Sequence, residues 1–192
     1  MVAIAIFAIT NSFTVPPGNV PRPVARASGI GVGQQPIDVT REAGACAPML
    51  TVIVEAGNSS DRLPALLGCL TSAAVDGLVR EVLIAGGGPP ELLAVLREET
   101  GAELVSSIAG AAATARSDQI LLLPASIRLK PSWLATLGEH IRRGGGEAII
   151  PGVGGFLRRA PFGVLAKQTR VLAHPDLKRL RRNLGGRAER LT

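Results

Sequence analysis

The chain has no tyrosine, a single tryptophan and four phenylalanines. Modules that bind nucleic acid by stacking bases on aromatic platforms are disfavoured by so sparse a supply. Only two cysteines are present, Cys46 and Cys69, and neither belongs to a CxxC pair or has a histidine pair nearby. A zinc site therefore lacks ligands at the usual spacing, and so does a disulfide framework. Two thiols in a chain of this length read as reduced and buried or inert, which fits a reducing, cytoplasmic compartment. Histidine is equally scarce. His140 falls late in a helical segment, where a cation complements the helix dipole, and His174 precedes Pro175. Neither has a serine or cysteine partner at a spacing that suggests a hydrolase triad. No apolar run approaches the ~20 residues needed to cross a bilayer. Val2 to Ile9 is apolar, but it is short and no basic residue precedes it, so it makes a poor signal peptide.

Apolar residues make up 46% of the 192 residues and charged residues 19%, enough for one domain with a sizeable core. Charge is distributed unevenly. Residues 1–48 are nearly balanced, and residues 49–151 carry 8 basic and 11 acidic side chains. Residues 152–192 carry 10 basic and 2 acidic side chains, so the formal net charge of +6 originates in the tail. Such a tail attracts polyanions, whether lipid, nucleic acid or phosphorylated substrate.

Residues 1–48 contain Pro16, Pro17, Pro21, Pro23 and Pro36, with Gly29, Gly31 and Gly33 among them. They read as a poorly ordered leader, either an extension of the domain or an upstream mis-start before Met49. From Met49 the punctuation becomes regular. Leu50–Val54 reads as a strand, and Asp61–Ala73 as a helix with Pro64 in its first turn. Val79–Ala85 is a second strand, followed by Gly86-Gly87-Gly88 and a helix opened by Pro89-Pro90 and closed at Gly101. Glu103–Ser106 is a third strand and Ala109–Arg116 a helix of small residues. Gln119–Leu123 is a fourth strand, Pro131–Arg143 a helix, and Glu147–Ile150 a fifth strand. This alternation predicts an α/β domain: a three-layer, open, mostly parallel sheet of Rossmann-like type over residues 49–160, followed by a basic helical tail over 161–192. Ligands of such sheets sit at the carboxyl ends of the strands, which directs attention to the loops after Glu55, Ala85 and Pro124.

Those loops and their surroundings resemble glycosyltransferase family 2, with its GT-A fold. Glu55-Ala56-Gly57-Asn58 stands where the family has Pro-Thr-x-Asn, and Asp61-Arg62-Leu63-Pro64-Ala65-Leu66-Leu67 is similar to its first helix. Ile84-Ala85-Gly86-Gly87-Gly88 stands where the family has Val-Asp-Asp-Gly-Ser. Gly110 to Asp118 resembles its Asn-x-Gly-x-x-x-Ala-x-Gly-Asp helix, and Arg128-Leu129-Lys130-Pro131-Ser132-Trp133-Leu134 follows its fourth strand. The resemblance spans roughly Leu50 to Gly152. It implies a bacterial transferase, cytoplasmic or peripheral to the inner membrane, that takes a sugar from a nucleotide-sugar donor.

The chemistry departs from the family at specific positions. The aspartate that contacts the donor nucleotide is replaced by Ala85. The metal-binding Asp-x-Asp is replaced by Pro124-Ala125-Ser126, which offers one neutral hydroxyl where Mg²⁺ or Mn²⁺ needs carboxylates. The donor-binding candidates are therefore Glu55, Ala56, Asn58, Arg62, Ala85, Gly86, Gly87, Ser126, Arg128 and Lys130, with no metal, no cofactor and no assigned catalytic residue. Arg62, Arg128 and Lys130 supply positive charge that could face a diphosphate, or they are solvated turn residues. Glu55 is a strand-end carboxylate suited to a base, a metal ligand or a plain loop cap. The triple glycine ahead of a helix invites a phosphate-cradle reading, which the prolines at 89 and 90 weaken by removing donors. These losses imply either a metal-independent transferase or a catalytically inactive descendant, a pseudoenzyme acting as a binding protein. In the tail, Leu177, Leu180 and Leu184 share one helical face among Lys178, Arg179, Arg181 and Arg182. That is the pattern of an interfacial helix on an anionic membrane, and equally of a terminal helix docked on its own domain.

Overall fold

The computed structural model describes residues 49–154 and 160–191, the side chains of Asn58, Ser60 and Arg187 excepted. The leader 1–48, and Cys46 with it, lies outside the described residues.

Five strands and four helices occur in the order the sequence implies. They are β1 (Leu50–Glu55), α1 (Leu63–Val75), β2 (Val79–Ala85), α2 (Pro90–Thr100), β3 (Glu103–Val105), α3 (Ile108–Thr114), β4 (Gln119–Pro124), α4 (Trp133–Arg142) and β5 (Ala148–Pro151). Local chemistry sets the boundaries. The Ser107 hydroxyl caps α3 by accepting from the Gly110 amide at 3.1 Å. Helix α2 stops at Gly101, whose φ of 68° lets its amide return to the Arg97 carbonyl at 2.9 Å.

Residues 162–191 depart from the helical tail that their composition suggests. They form β6 (Phe162–Lys167), α5 (Gln168–Ala173), α6 (Leu177–Leu184) and β7 (Glu189–Arg190). The sheet order is β3-β2-β1-β4-β6-β5-β7. Strands β1–β4 pair in parallel, β6 runs antiparallel to both β4 and β5, and β7 is parallel to β5. The mostly parallel α/β sheet is as expected, but β5 does not lie beside β4. Strand β6 separates them because Val164, Leu165 and Ala166 are apolar on both faces of the sheet, and only an interior position buries all three.

Side chains along the strands divide by alternation between two cores. Val52, Val54, Leu121 and Leu123 pack with α1, α2 and α4 through Leu67, Leu70, Leu93, Trp133 and Leu137. Ile53, Ile120, Leu122 and Val164 pack with α3, α5 and α6 through Ala112, Val171, Leu177, Leu180 and Leu184. The three leucines of α6 thus lie inside the domain, each contributing roughly 1.5–3 kcal/mol of burial. Asp176 caps that helix by accepting from the Arg179 amide at 2.7 Å. The Gln168 amide ties α5 to α3 by donating to the Ala112 carbonyl at 2.7 Å.

Candidate functional site

The carboxyl ends of β1, β2 and β4 form a rim. Glu55 is in register with Ala85 on one side and Pro124 on the other, so the three positions singled out in the sequence stand side by side. Backbone hydrogen bonds knit the departing loops together. The Ala56 amide donates to the Ala85 carbonyl at 2.9 Å, and the Ala125 amide donates to the Glu55 carbonyl at 2.9 Å. After Ala56 the chain enters a kinked 3₁₀ turn, Gly57–Arg62, that leads into α1. Gly57 (φ 48°) and Gly86 (φ 98°) both take the left-handed backbone region, and a Cβ on Gly86 would lie 3.9 Å from the Gly57 amide nitrogen. The first two loops therefore run against each other across the rim.

Each candidate has a definite place. Glu55 and Ser126 are half-buried, Arg62 and Arg128 exposed, and Lys130 half-buried. Gly86 and Gly87 are exposed. Ala56 and Ala85 are each 1% exposed, with their methyl groups in the two cores, so they shape the floor and do not reach toward a ligand. Asn58 belongs to the 3₁₀ turn, but its side chain is outside the described residues. The rim thus gathers Glu55, Ala56, Ala85, Gly86 and Ser126 closely, with Arg62 and Arg128 on the loops that leave it. Lys130 sits farther along its loop, where its carbonyl accepts from the Trp133 amide at 3.0 Å.

The phosphate-cradle reading of Gly86–Gly88 gains nothing. The Gly86 amide is spent on the Val105 carbonyl at 3.1 Å, and Pro89 caps α2 without any side-chain bond. A cavity of about 580 Å³ lies beside α2 and β3 and shares only Gly88 with that loop. A divalent cation also finds no fit at the end of β4, since Pro124 has no side-chain ligand atom, its carbonyl accepts from the Ile127 amide at 2.9 Å, and the Ser126 side chain offers only a hydroxyl. Glu55 is the one carboxylate at the ends of β1, β2 and β4. Among the described residues no group of three His, Cys, Asp or Glu side chains could hold a metal.

Among the described residues the rim charges have no internal partner. Glu55, Arg62, Arg128 and Lys130 take part in none of the ion pairs, all of which involve other residues. Sequence reasoning missed the wall beside β4. Phe162 opens β6 two residues beyond the Leu122–Val164 pair, level with the end of β4, and the Arg181 guanidinium covers its ring at 4.3 Å. Gly152 holds this wall against the rim. Its amide donates to the Pro161 carbonyl at 2.8 Å, and a Cβ there would lie 2.8 Å from both that oxygen and Ile127. The Val153 amide donates to the Arg128 carbonyl at 2.7 Å and fixes the loop that carries the cation. The one available signal was Phe162-Gly163-Val164-Leu165-Ala166, an apolar run after Pro161 that the surrounding arginines concealed.

Two single-residue expectations need correction. Cys69, expected to be reduced and buried or inert, is free and exposed on α1, so the buried alternative does not hold. His140 is 3% exposed and does more than complement a helix end. Its Nε2 lies 2.9 Å from the Gly146 carbonyl, which can only accept, and its Nδ1 lies 3.2 Å from Glu189 on β7. His140 therefore pins the last strand to α4.

Similarity to known proteins is confined to structure. No protein-family model matches the chain, and no curated protein matches it in sequence. Among solved structures, glucosyl-3-phosphoglycerate synthase from Mycobacterium tuberculosis in complex with phosphoglyceric acid superposes with a TM-score of 0.56 at 15% identity. That match covers 78% of this chain and 72% of the other. The same synthase with Mn²⁺, uridine diphosphate and glucosyl-3-phosphoglycerate gives a TM-score of 0.43 at 18% identity, over 56% of this chain and 44% of the other. The first match establishes a GT-A glycosyltransferase fold, and at that identity it establishes the fold alone.

Proposed function

We propose that the chain descends from family 2 glycosyltransferases and receives a nucleotide-sugar donor on the rim formed by β1, β2 and β4. The donor diphosphate meets Arg62, Arg128 and Lys130 in place of a metal. The observation that carries this reading is the set of rim charges without internal partners, on a fold whose ligands gather at the strand ends. Cations held near a leaving diphosphate stabilise the charge that develops as it departs. In the transfer, the bond between the anomeric carbon and the diphosphate oxygen breaks, and the electron pair leaves with the diphosphate. The acceptor hydroxyl oxygen bonds to the anomeric carbon and gives up its proton to a base. Glu55 is the carboxylate positioned for that role. The setting is a bacterial cytoplasm, or its membrane boundary.

A second reading, favoured by Ala85, Pro124 and Ser126, is a pseudoenzyme that keeps the fold for binding without transfer. Calorimetric titration with UDP- and GDP-sugars, with and without Mn²⁺, separates the two. A metal-independent transferase gives the same heat in both titrations and releases nucleoside diphosphate once an acceptor is supplied. Heat that appears only with Mn²⁺ overturns the cationic site, and the absence of heat with every donor overturns donor binding altogether.

A further inference from the structure

Helix α6 carries a surface that its packing leaves unexplained. Leu177, Leu180 and Leu184 are buried against the sheet. At about 100° per residue, Lys178, Arg179 and Arg182 fall within an arc of roughly 100° centred on the opposite face. All three are exposed. Among the described residues none of them is in an ion pair. Lys178 and Arg182 stand at i and i+4, a spacing at which like charges repel and destabilise the helix. Asp176, the N-cap of the helix, has its Oδ1 occupied by the Arg179 backbone amide. Arg181 is drawn aside over Phe162. Lys167 at the end of β6 and Arg190 on β7 are exposed as well, and Leu172 on α5 is 42% exposed.

We infer that this face of α6 is a docking surface for an anionic lipid bilayer, held by charge alone and without insertion. An inserting amphipathic helix presents its apolar side to the acyl boundary, whereas here that side is already committed to the core. What remains is a row of cations of the kind that negatively charged headgroups attract. A nucleic acid is the less fitting polyanion. The only described aromatic ring near the patch, Phe162, is covered by Arg181, so bases find no platform on which to stack. This inference is independent of what the rim binds.

The test is co-sedimentation of the full chain with vesicles of phosphatidylcholine alone and of an equimolar phosphatidylcholine–phosphatidylglycerol mixture. Binding is expected only to the anionic vesicles. It should vanish as salt is raised toward about 1 M, where the screening length falls to about 3 Å. Each neutralised cation should lower the partition coefficient about five-fold, so Lys178→Gln, Arg179→Gln and Arg182→Gln together should lower it roughly a hundred-fold. The three side chains face solvent, so far-UV circular dichroism should be unchanged, and removing the Lys178–Arg182 repulsion should leave the unfolding temperature the same or slightly higher. If the triple variant nevertheless unfolds, the salt series on the unaltered chain decides the matter. Salt-insensitive binding, equal binding to neutral vesicles, no binding to anionic vesicles, undiminished binding by the folded triple variant, or stronger capture by single-stranded RNA than by the anionic vesicles would each overturn the inference.

Discussion

The two ends of the sheet treat charge in opposite ways. At the foot, where the parallel strands begin, several charged and polar groups are paired with one another, although the buried Ser117 hydroxyl and the Gln119 Oε1 have no partner among the described residues. The buried Thr51 hydroxyl donates to Glu81 at 2.6 Å, and the same carboxylate oxygen accepts from the Arg116 amide at 2.6 Å. Arg116 also pairs with Glu81 and with Glu103 on β3. Arg170 meets Glu147 at 3.3 Å, and His140 joins Glu189 to Gly146. At the rim, Glu55, Arg62, Arg128 and Lys130 have no such partners among the described residues. A foot built from reciprocal bonds serves folding. A rim that leaves its charges unpaired contributes little to stability and keeps those groups available to something outside the chain.

That contrast can be broken most severely through β6, which runs from Phe162 at the rim to Lys167 at the foot. Ending the chain after residue 160 removes a strand from the middle of the sheet and exposes the edges of β4 and β5. The truncated chain should show no cooperative unfolding transition in urea; a two-state transition like that of the full chain would mean that the two ends are joined by other contacts. Leu180→Ala empties a fully buried site beneath α6 and should cost about 2–5 kcal/mol by denaturant titration. A loss below 1 kcal/mol would show α6 to be an appendage and not part of the core. Glu81→Ala deprives the buried Thr51 hydroxyl of its acceptor and should cost about 1–3 kcal/mol. The paired change to Arg62→Ala and Arg128→Ala at the rim should alter stability by less than about 0.5 kcal/mol each. Those same rim changes should each weaken nucleotide-sugar binding about ten-fold, the size of one lost charge-assisted contact. If the rim variants destabilise the fold as much as Glu81→Ala does, the contrast between the two ends fails.

Legibility follows the same division. The alternation from Leu50 to Pro151 was readable because each apolar run is bounded by glycine, proline or a capping residue, as at Ser107 and Gly101. The positions at the rim were readable too, since the end of a strand fixes where its loop begins, and register then placed Glu55 between Ala85 and Pro124. The C-terminal segment was not. Val164 to Ala166 is too short to stand out between Pro161 and a run of arginines, and whether such a run is a central strand depends on which strands leave a gap for it. The leucines of α6 posed a related ambiguity. A stripe at helical spacing specifies an apolar face, but not what covers it.

By itself, then, the sequence determined the succession of strands and helices, the absence of an acidic pair after β4, and the concentration of positive charge beyond residue 151. Short-range chemistry carries all of that: hydrophobic period, caps, turn residues and residue type. Only the tertiary structure decided that β6 lies between β4 and β5, that His140 is tied to Glu189, that Arg181 covers Phe162 at the rim, and that the leucines of α6 face inward. Each of these joins residues far apart in the chain, and such contacts form only where packing two distant surfaces together outweighs the entropy of ordering them.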